Sequence, residues 1–322
     1  MRVIEDAWNL QENVGPTVVA IGNFDGIHLG QRQILRTVVE RAQQITGRSV
    51  VVTFEPHPLT ILRPQRPLER LTTPEQKVAL LEQVGIDLLA VVRFTEAFAA
   101  TSAQAFVEAF IHQKLGAAEV YVGASFGFGR RREGDLDLLE SLAGRFGFRA
   151  VGIEELRAST AVVSSTRIRA AIRAGEVGEA AALLGRSYAV AGKVVHGVGR
   201  GREHGWPTIN ILPDEQLLPP DGVYASQVWI PEHELQLEAV TNIGTRPTFP
   251  GDETRVVESH IFDFVGEVYR ERVELGFVER LRGERKFPSV TELVEQIGRD
   301  ATAAREFLAR EDCSTLVPTL RV

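Results

Sequence analysis

Val18-Val19-Ala20-Ile21-Gly22-Asn23-Phe24-Asp25-Gly26-Ile27-His28-Leu29-Gly30-Gln31 runs from a β-branched apolar stretch into a glycine-rich turn. A helical pattern starts just beyond it, at Ile34-Leu35, and continues to Val38-Val39. The apolar run predicts a buried strand, and the turn predicts a strand-to-helix crossing. Glycines let backbone N–H groups approach an anion. A helix N-terminus adds positive potential, and His28 adds a mobile proton or charge. Such a turn suits phosphate chemistry at the end of a strand, but alone it is a weak signal.

The rest of the first half repeats the rhythm. Val50–Phe54, Leu88–Phe94, Val120–Gly123 and Phe148–Ile153 read as further buried strands. Gln31–Ile45, Pro74–Val84, Ser102–Leu115 and Asp135–Phe146 carry helical spacing between them, and Ser165–Ala174 and Val177–Leu184 close the half. Strands alternating with helices predict an α/β fold with a parallel, doubly wound sheet. Ligands of such sheets bind outside the C-terminal strand ends, where the Gly22–Gln31 turn falls. Thr53-Phe54-Glu55-Pro56-His57-Pro58 ends the second predicted strand, and Val122-Gly123-Ala124-Ser125-Phe126-Gly127-Phe128-Gly129 ends the fourth. Val163-Ser164-Ser165-Thr166-Arg167-Ile168-Arg169 opens a helix, where Ser165 or Thr166 can cap the helix or hold a phosphate. Four such segments in order point to a shared site.

After about Gly185 the helices stop. Tyr188–Val195, Thr208–Leu212, Gly222–Trp229, Glu238–Ile243, Val256–Phe264 and Arg272–Phe277 are β-like runs separated by Gly and Pro. They predict a six-stranded antiparallel β-barrel, with a C-terminal helix at Val290–Leu308. The domains are therefore expected at 1–185 and 186–322. Gly197, Gly199, Gly201 and Gly205 make a mobile loop that can close over a nucleotide, and the loop runs into Pro207-Thr208-Ile209-Asn210. A Thr hydroxyl and an Asn carbonyl are hard oxygen ligands suited to Mg²⁺. Glu258 sits inside a β-like run, either on a solvated outer face or aimed at a site, and pattern alone favours solvent.

Composition narrows the classes. The chain has 322 residues, 44% hydrophobic and 25% charged, as a globular two-domain protein has. A net charge of −7 argues against nucleic-acid binding. Cys313 is the only cysteine, so an intrachain disulfide is ruled out. No apolar run approaches the roughly 18 residues of a membrane helix, and Glu5 and Asp6 sit where a signal peptide would be apolar. A cytoplasmic protein without nucleic-acid or membrane partners is expected; self-association stays open. Of the four lysines, Lys77, Lys114, Lys193 and Lys286, none lies in a P-loop pattern.

Over residues 15–185 the motifs resemble the nucleotidyltransferase module of the bacterial bifunctional riboflavin kinase/FMN adenylyltransferase (FAD synthetase) family. Over about 186–310 they resemble its riboflavin kinase module. The resemblance implies phosphorylation of riboflavin to FMN in the barrel. It also implies adenylylation of FMN to FAD, with pyrophosphate release, in a Rossmann-like first domain. ATP is co-substrate, and riboflavin, FMN and FAD are substrates or products. By the resemblance, Gly22, Phe24, Asp25, Gly26, His28, Gly30 and Gln31 line the ATP phosphates, with His28 catalytic. Ser125 falls at a polar position of the same site, and Ser165, Thr166 and Arg169 hold the triphosphate. In the kinase module Thr208 and Asn210 match the metal positions and Glu258 the general base. The glycine loop, Pro207, Asn242, Gly244, Thr245 and Arg282 bind ATP or flavin, and loops around Gly244–Phe249 and Arg282–Phe287 frame the flavin.

Three positions depart from the family pattern. The turn ends His28-Leu29-Gly30-Gln31 where the family has His-x-Gly-His. Ser125 replaces Asp or Asn. Tyr269-Arg270 replaces Tyr-Gly, which touches turn geometry only. Gln31 and Ser125 leave weakened adenylyl transfer as an open outcome. The runner-up is then a monofunctional riboflavin kinase with a degenerate first domain, and a third reading is a non-catalytic flavin-responsive regulator.

Overall fold

Six parallel strands carry the first unit of the computed structural model: β1 (Arg2–Ile4), β2 (Thr17–Ile21), β3 (Arg48–Glu55), β4 (Leu88–Arg93), β5 (Ala117–Gly123) and β6 (Arg149–Ile153). Their order is β1-β4-β3-β2-β5-β6. The edge strand β1 was not expected from sequence; three residues are too few to show a period. The structure describes residues 1–65, 68–158, 161–197, 205–249, 252–310 and 315–320. It divides into two compact units, Met1–Leu68 with Lys77–Val163, and Glu69–Gln76 with Ser164–Val322.

Every residue of β2 is buried, as a central strand covered on both faces requires. Val19 and Ile21 pack into one apolar layer, and Val18 and Ala20 pack into the other with Leu35, Val38 and Ala42 of helix α1 (Leu29–Gln44). α1 is also pinned to β5. Arg41 Nε donates to Glu119 Oε2 at 3.0 Å, and the Tyr121 hydroxyl donates to the same oxygen at 2.7 Å. The bond from Arg41 holds the Glu119 carboxyl below the usual carboxylate range, while burial pushes the Tyr121 phenol up. This clamp ties the last turn of α1 to β5.

The remaining helices are α2 (Pro58–Leu62), α3 (Pro74–Val84), α4 (Glu96–Ala99), α5 (Ala103–Ala105), α6 (Leu136–Phe146), α7 (Ser165–Ala174), α8 (Val177–Leu184) and α9 (Val290–Leu308). The single helix expected over Ser102–Leu115 is instead α5 running into a π-helical stretch, Phe106–His112. A short hairpin, β7 (Arg157–Ala158) with β8 (Ala161–Val162), precedes α7. Ser164 caps α7 by accepting from Arg167 N–H, so the capping role expected of Ser165 or Thr166 belongs one residue earlier. Packing groups α7 and α8 with the second unit, whereas sequence rhythm placed them at the end of the first domain.

The second unit is a closed antiparallel barrel of β9 (Tyr188–Val195), β10 (Ile209–Pro213), β11 (Gly222–Ile230), β12 (Leu235–Phe249), β13 (Asp252–Ile261) and β14 (Arg272–Gly283). Around it the order is β10-β13-β12-β11-β14-β9. Inside, a hydroxyl chain crosses three strands, Ser226 to Thr241 at 2.6 Å and Thr241 to Ser259 at 2.7 Å, all fully buried. Outside, α9 docks through Ala301, Ala304 and Leu308 onto Val223, Ala225, Val240 and Val278. Gly244–Phe249, expected as a flavin-framing loop, is strand: β12 and β13 stay paired to Phe249↔Asp252. Its Gly and Pro mimic a loop signal, and partner pairing overrides it. None of the described helices is long and apolar enough to cross a membrane.

Between Tyr269 and Glu271 the chain needs a left-handed residue, and Arg270 supplies it at φ 70 while its N–H bonds Val194 O at 2.9 Å. The turn expected from glycine is therefore kept at the expense of strain. An L-residue there costs about 1–2 kcal/mol, partly offset by its lower unfolded-state entropy. Arg270→Gly should raise stability by about 0.5–1 kcal/mol in urea unfolding. A variant no more stable than the parent would show the turn to be unstrained.

Candidate functional site

The turn after β2 is strained by design. Phe24 and Ile27 adopt left-handed backbones at φ 46 and 42, and Gly26 lies at φ 93. Bulky residues at such angles persist only where packing over-determines them. Here Phe24 and Ile27 are buried in the core. The Phe24 ring is thus an anchor, and what this residue can offer a phosphate is backbone. Lys77 Nζ and the Thr53 hydroxyl both donate to Asn23 O, at 2.9 and 3.1 Å, and hold the turn from below.

His28 is the N-cap of α1, and Gln31 is the third residue of its first turn. Gln31 N–H donates to His28 Nδ1 at 3.3 Å, and His28 N–H donates to Gln31 Oε1 at 3.2 Å. This reciprocal pair is a capping box. Because Nδ1 accepts a backbone N–H, a neutral His28 carries its proton on Nε2. The departure at position 31 therefore has a local role. Its side-chain oxygen accepts the His28 backbone N–H, while its own backbone N–H holds the His28 ring through Nδ1.

A cavity of ≈ 470 Å³ opens over the C-terminal ends of the parallel strands. It is lined by Gly22 and Asn23 after β2, Phe54 at the end of β3 and His57 beyond it, Phe94 and Phe98 after β4, and Ser125 to Gly129 after β5. The Ser125 hydroxyl donates to Glu155 Oε1 at 3.0 Å, and Arg132 reaches Ser125 O at 3.3 Å. The aromatic walls are mutually packed: Phe54 to Phe98 at 6.0 Å, Phe98 to Phe106 at 6.2 Å and Phe126 stacked on Phe128 at 5.5 Å. Gly129, at φ 72, lets this loop pass within 2.6 Å of Ala103 N, measured from where a Cβ would stand. Three segments of this wall were marked in the sequence: the Gly22–Gln31 turn, Thr53–Pro58 and Val122–Gly129. Phe94, Phe98, Phe106 and Arg132 were not, because only the tertiary fold brings these separate segments to the strand ends. Ser165, Thr166 and Arg169 lie on α7 in the second unit, where Arg169 Nε donates to Glu69 O at 2.7 Å.

On the barrel, register assembles the second site. Asn210 pairs with Glu258, Glu258 with Asn242, Asn242 with Val223 and Val223 with Arg282. Directly paired residues share a face. Val223 faces α9, so the whole row lies on the outer face, and Glu258 there is half-buried rather than solvated. Arg282 Nε bonds both Asp300 oxygens, at 3.1 and 3.0 Å, and Gln296 also holds Asp300, so α9 fixes one end of the row. At the other end Gly197 abuts Asn210: an added Cβ would stand 2.1 Å from Asn210 Nδ2. A Cβ on Gly244 would meet Glu284 Oε1 at 2.8 Å, which brings Glu284 to the same surface. Thr245 is exposed, and Gly205 turns at φ 81. Pro207 O accepts from His260 Nδ1 at 2.8 Å, and Pro207 and Thr208 line a small cavity with Phe264 and Tyr269. His196 stacks on Tyr269 at 4.0 Å. Gly199, Gly201 and Cys313 lie outside the described residues.

The donor set fits Mg²⁺. Thr208 and Asn210 offer neutral oxygen atoms, and Mg²⁺ takes few protein ligands beside substrate phosphates and water.

A parallel-sheet unit with an anion-suited turn, followed by a barrel with a carboxylate between two amides, defines a two-module nucleotide-dependent transferase. The family model described as FAD synthetase matches residues 10–167, and that described as riboflavin kinase matches 184–308. The bifunctional riboflavin kinase/FMN adenylyltransferase of Escherichia coli (strain K12) is 36% identical over 308 residues, 95% of this chain and 98% of that one. Its counterpart in Bacillus subtilis (strain 168) is 35% identical over 305 residues, 93% and 95% of the two chains. A crystal structure described as a macrolide-efflux protein from Streptococcus pneumoniae matches with a TM-score of 0.85 and 31% identity, over 94% of this chain and 98% of that one. The chain belongs to the bifunctional riboflavin kinase/FMN adenylyltransferase family.

Proposed function

We propose that the barrel phosphorylates riboflavin to FMN and that the parallel-sheet unit adenylylates FMN to FAD. The observation that carries the kinase half is the row Asn210–Glu258–Asn242, which seats a half-buried carboxylate between two amides beside Gly197. Glu258 takes the proton of the ribityl 5′-hydroxyl as its oxygen attacks the γ-phosphorus of ATP; the bond from that phosphorus to the β-bridging oxygen breaks, and ADP leaves. Thr208 and Asn210 would hold Mg²⁺, which when bound neutralises charge on the β- and γ-phosphates. Asn242 and Arg282 keep the row in register.

In the first unit the phenylalanine-walled cavity suits an isoalloxazine ring, which aromatic faces bury and stack upon. An FMN phosphate oxygen attacks the α-phosphorus, and pyrophosphate leaves. The strained turn presents backbone N–H groups, and His28 presents an Nε2–H, to the charge that develops there. A cytoplasmic location and the absence of a nucleic-acid partner go with this reading.

Two incubations test both halves: riboflavin with ATP and Mg²⁺, and FMN with ATP and Mg²⁺, with the flavins resolved by chromatography. FMN and FAD are expected from the first and FAD from the second. FMN without FAD in either would leave a monofunctional kinase, which the neutral, inward-committed Gln31 amide favours as the second reading. No FMN at all would sink the enzymatic reading. Gly197→Ala should lower FMN formation about 100-fold, because its methyl displaces Asn210 by an ångström or more. FAD formation from added FMN is the internal control, and unimpaired FMN formation would detach Gly197 and Asn210 from the site.

A further inference from the structure

Arg32 and Arg36 stand one turn apart on α1 and share an open cavity of ≈ 370 Å³ with Leu29, Gln33 and Leu156. Arg32 Nε is buried, and among the described residues no acceptor reaches it. Burial, and then the neighbouring Arg36 charge, push the Arg32 guanidinium below the ordinary arginine range. Two other half-buried arginines meet a carboxylate, Arg41 with Glu119 and Arg282 with Asp300. Here, among the described residues, Glu40 is the one carboxylate lining the cavity, and it forms no ion pair with either arginine. Two like charges with a desolvated, unmatched donor destabilise a fold unless an anion joins them.

The cavity adjoins the strained turn. Leu29 follows His28 in the chain, and Arg32 N–H donates to His28 O at 2.9 Å. Leu156 lies against Gly30, its Cβ 3.4 Å from where a Gly30 Cβ would stand. Gln31 is neutral, and its amide oxygen is committed to His28 N–H. The next residue in the chain brings the positive charge that position 31 lacks.

We infer that Arg32 and Arg36 hold the pyrophosphate group of the nucleotide during adenylyl transfer. The inference rests on the adenylyltransferase reading of this unit. As an FMN phosphate oxygen bonds to the α-phosphorus, the bond to the bridging oxygen breaks and its electron pair leaves with pyrophosphate. Two guanidinium groups at that end take up the departing charge through charge-assisted hydrogen bonds.

The test is calorimetric titration of the full chain with inorganic pyrophosphate and, separately, with orthophosphate. The parent is compared with Arg32→Gln, Arg36→Gln and Arg32→Lys. Arg32→Gln should weaken pyrophosphate binding about tenfold or more and raise the ATP KM of FAD formation alongside it. Riboflavin phosphorylation, in the other unit, reports that the chain is folded. Without anion, Arg32→Gln should unfold at the parent's temperature or above it, because an unmatched buried charge is gone; Arg32→Lys should fall between the two in pyrophosphate affinity. Equal pyrophosphate affinity in the parent and all variants would overturn the inference. Orthophosphate bound as tightly as pyrophosphate, and lost equally in the variants, would make this a free-anion site and overturn the nucleotide assignment. Arginine-dependent pyrophosphate binding in a parent that makes no FAD would instead sink the adenylyltransferase reading while leaving the anion cavity in place.

Discussion

Glu258→Gln should reduce riboflavin phosphorylation by about 10²–10⁴ in kcat, the usual worth of a positioned general base. Glutamine keeps the shape and the hydrogen-bonding reach of glutamate but cannot accept a proton at neutral pH. Glu258 is held by pairing on both sides, to Asn210 on β10 and to Asn242 on β12. Its neighbours Val257 and Ser259 are buried in the barrel interior, so the alternation of the strand sends Glu258 outward, onto the face that α9 and the Gly197 segment flank. The variant should therefore fold as the parent does and still convert added FMN to FAD. The readout is FMN formed from riboflavin, with thermal unfolding as a check. Turnover within a factor of a few of the parent would remove Glu258 as the base.

His28→Ala should lower FAD formation by about 10²–10³ while leaving FMN formation intact, in line with the loss of one preorganised donor. The substitution removes two things at once. His28 is the N-cap of α1, and losing a cap costs about 1 kcal/mol. His28→Asn separates them: asparagine can still accept from Gln31 N–H, yet it carries no imidazole Nε2–H. The two variants should lose activity alike, with only the alanine losing stability. Retained FAD synthesis in His28→Asn would show that the cap, not the donor, is what the reaction needs. Gln31→Ala should do less than either, since Gln31 acts through His28. Its signature should be a lower kcat for FAD formation with little change in KM for FMN. A change confined to KM would place Gln31 in contact with substrate instead.

Much of the fold was legible in one dimension. α3, α7, α8, α9 and β9 begin and end where the sequence placed them. Their signals are local: a helical period, a serine cap, a glycine past the last turn. The errors have local causes too. Gly244 and Pro247 carry loop character, yet the strand through them continues because β13 supplies partners out to Asp252. The strained turn was recognised from its glycines, while the left-handed backbones of Phe24 and Ile27 were invisible, since only core packing makes them tolerable.

By itself the sequence determined that two modules follow one another, that an anion-suited turn ends a buried strand, and that an Asn and a Glu sit in barrel strands. Those facts depend on residue type and short spacing. The tertiary structure alone decided which face Glu258 takes. It also joined the phenylalanines of three strand ends and of the π-helical stretch into one cavity, tied Gln31 to His28, and left Arg32 Nε without an acceptor among the described residues. Each of these depends on register and on contacts between residues far apart in the chain, where a shift of a single position would turn a side chain from the site to the opposite face.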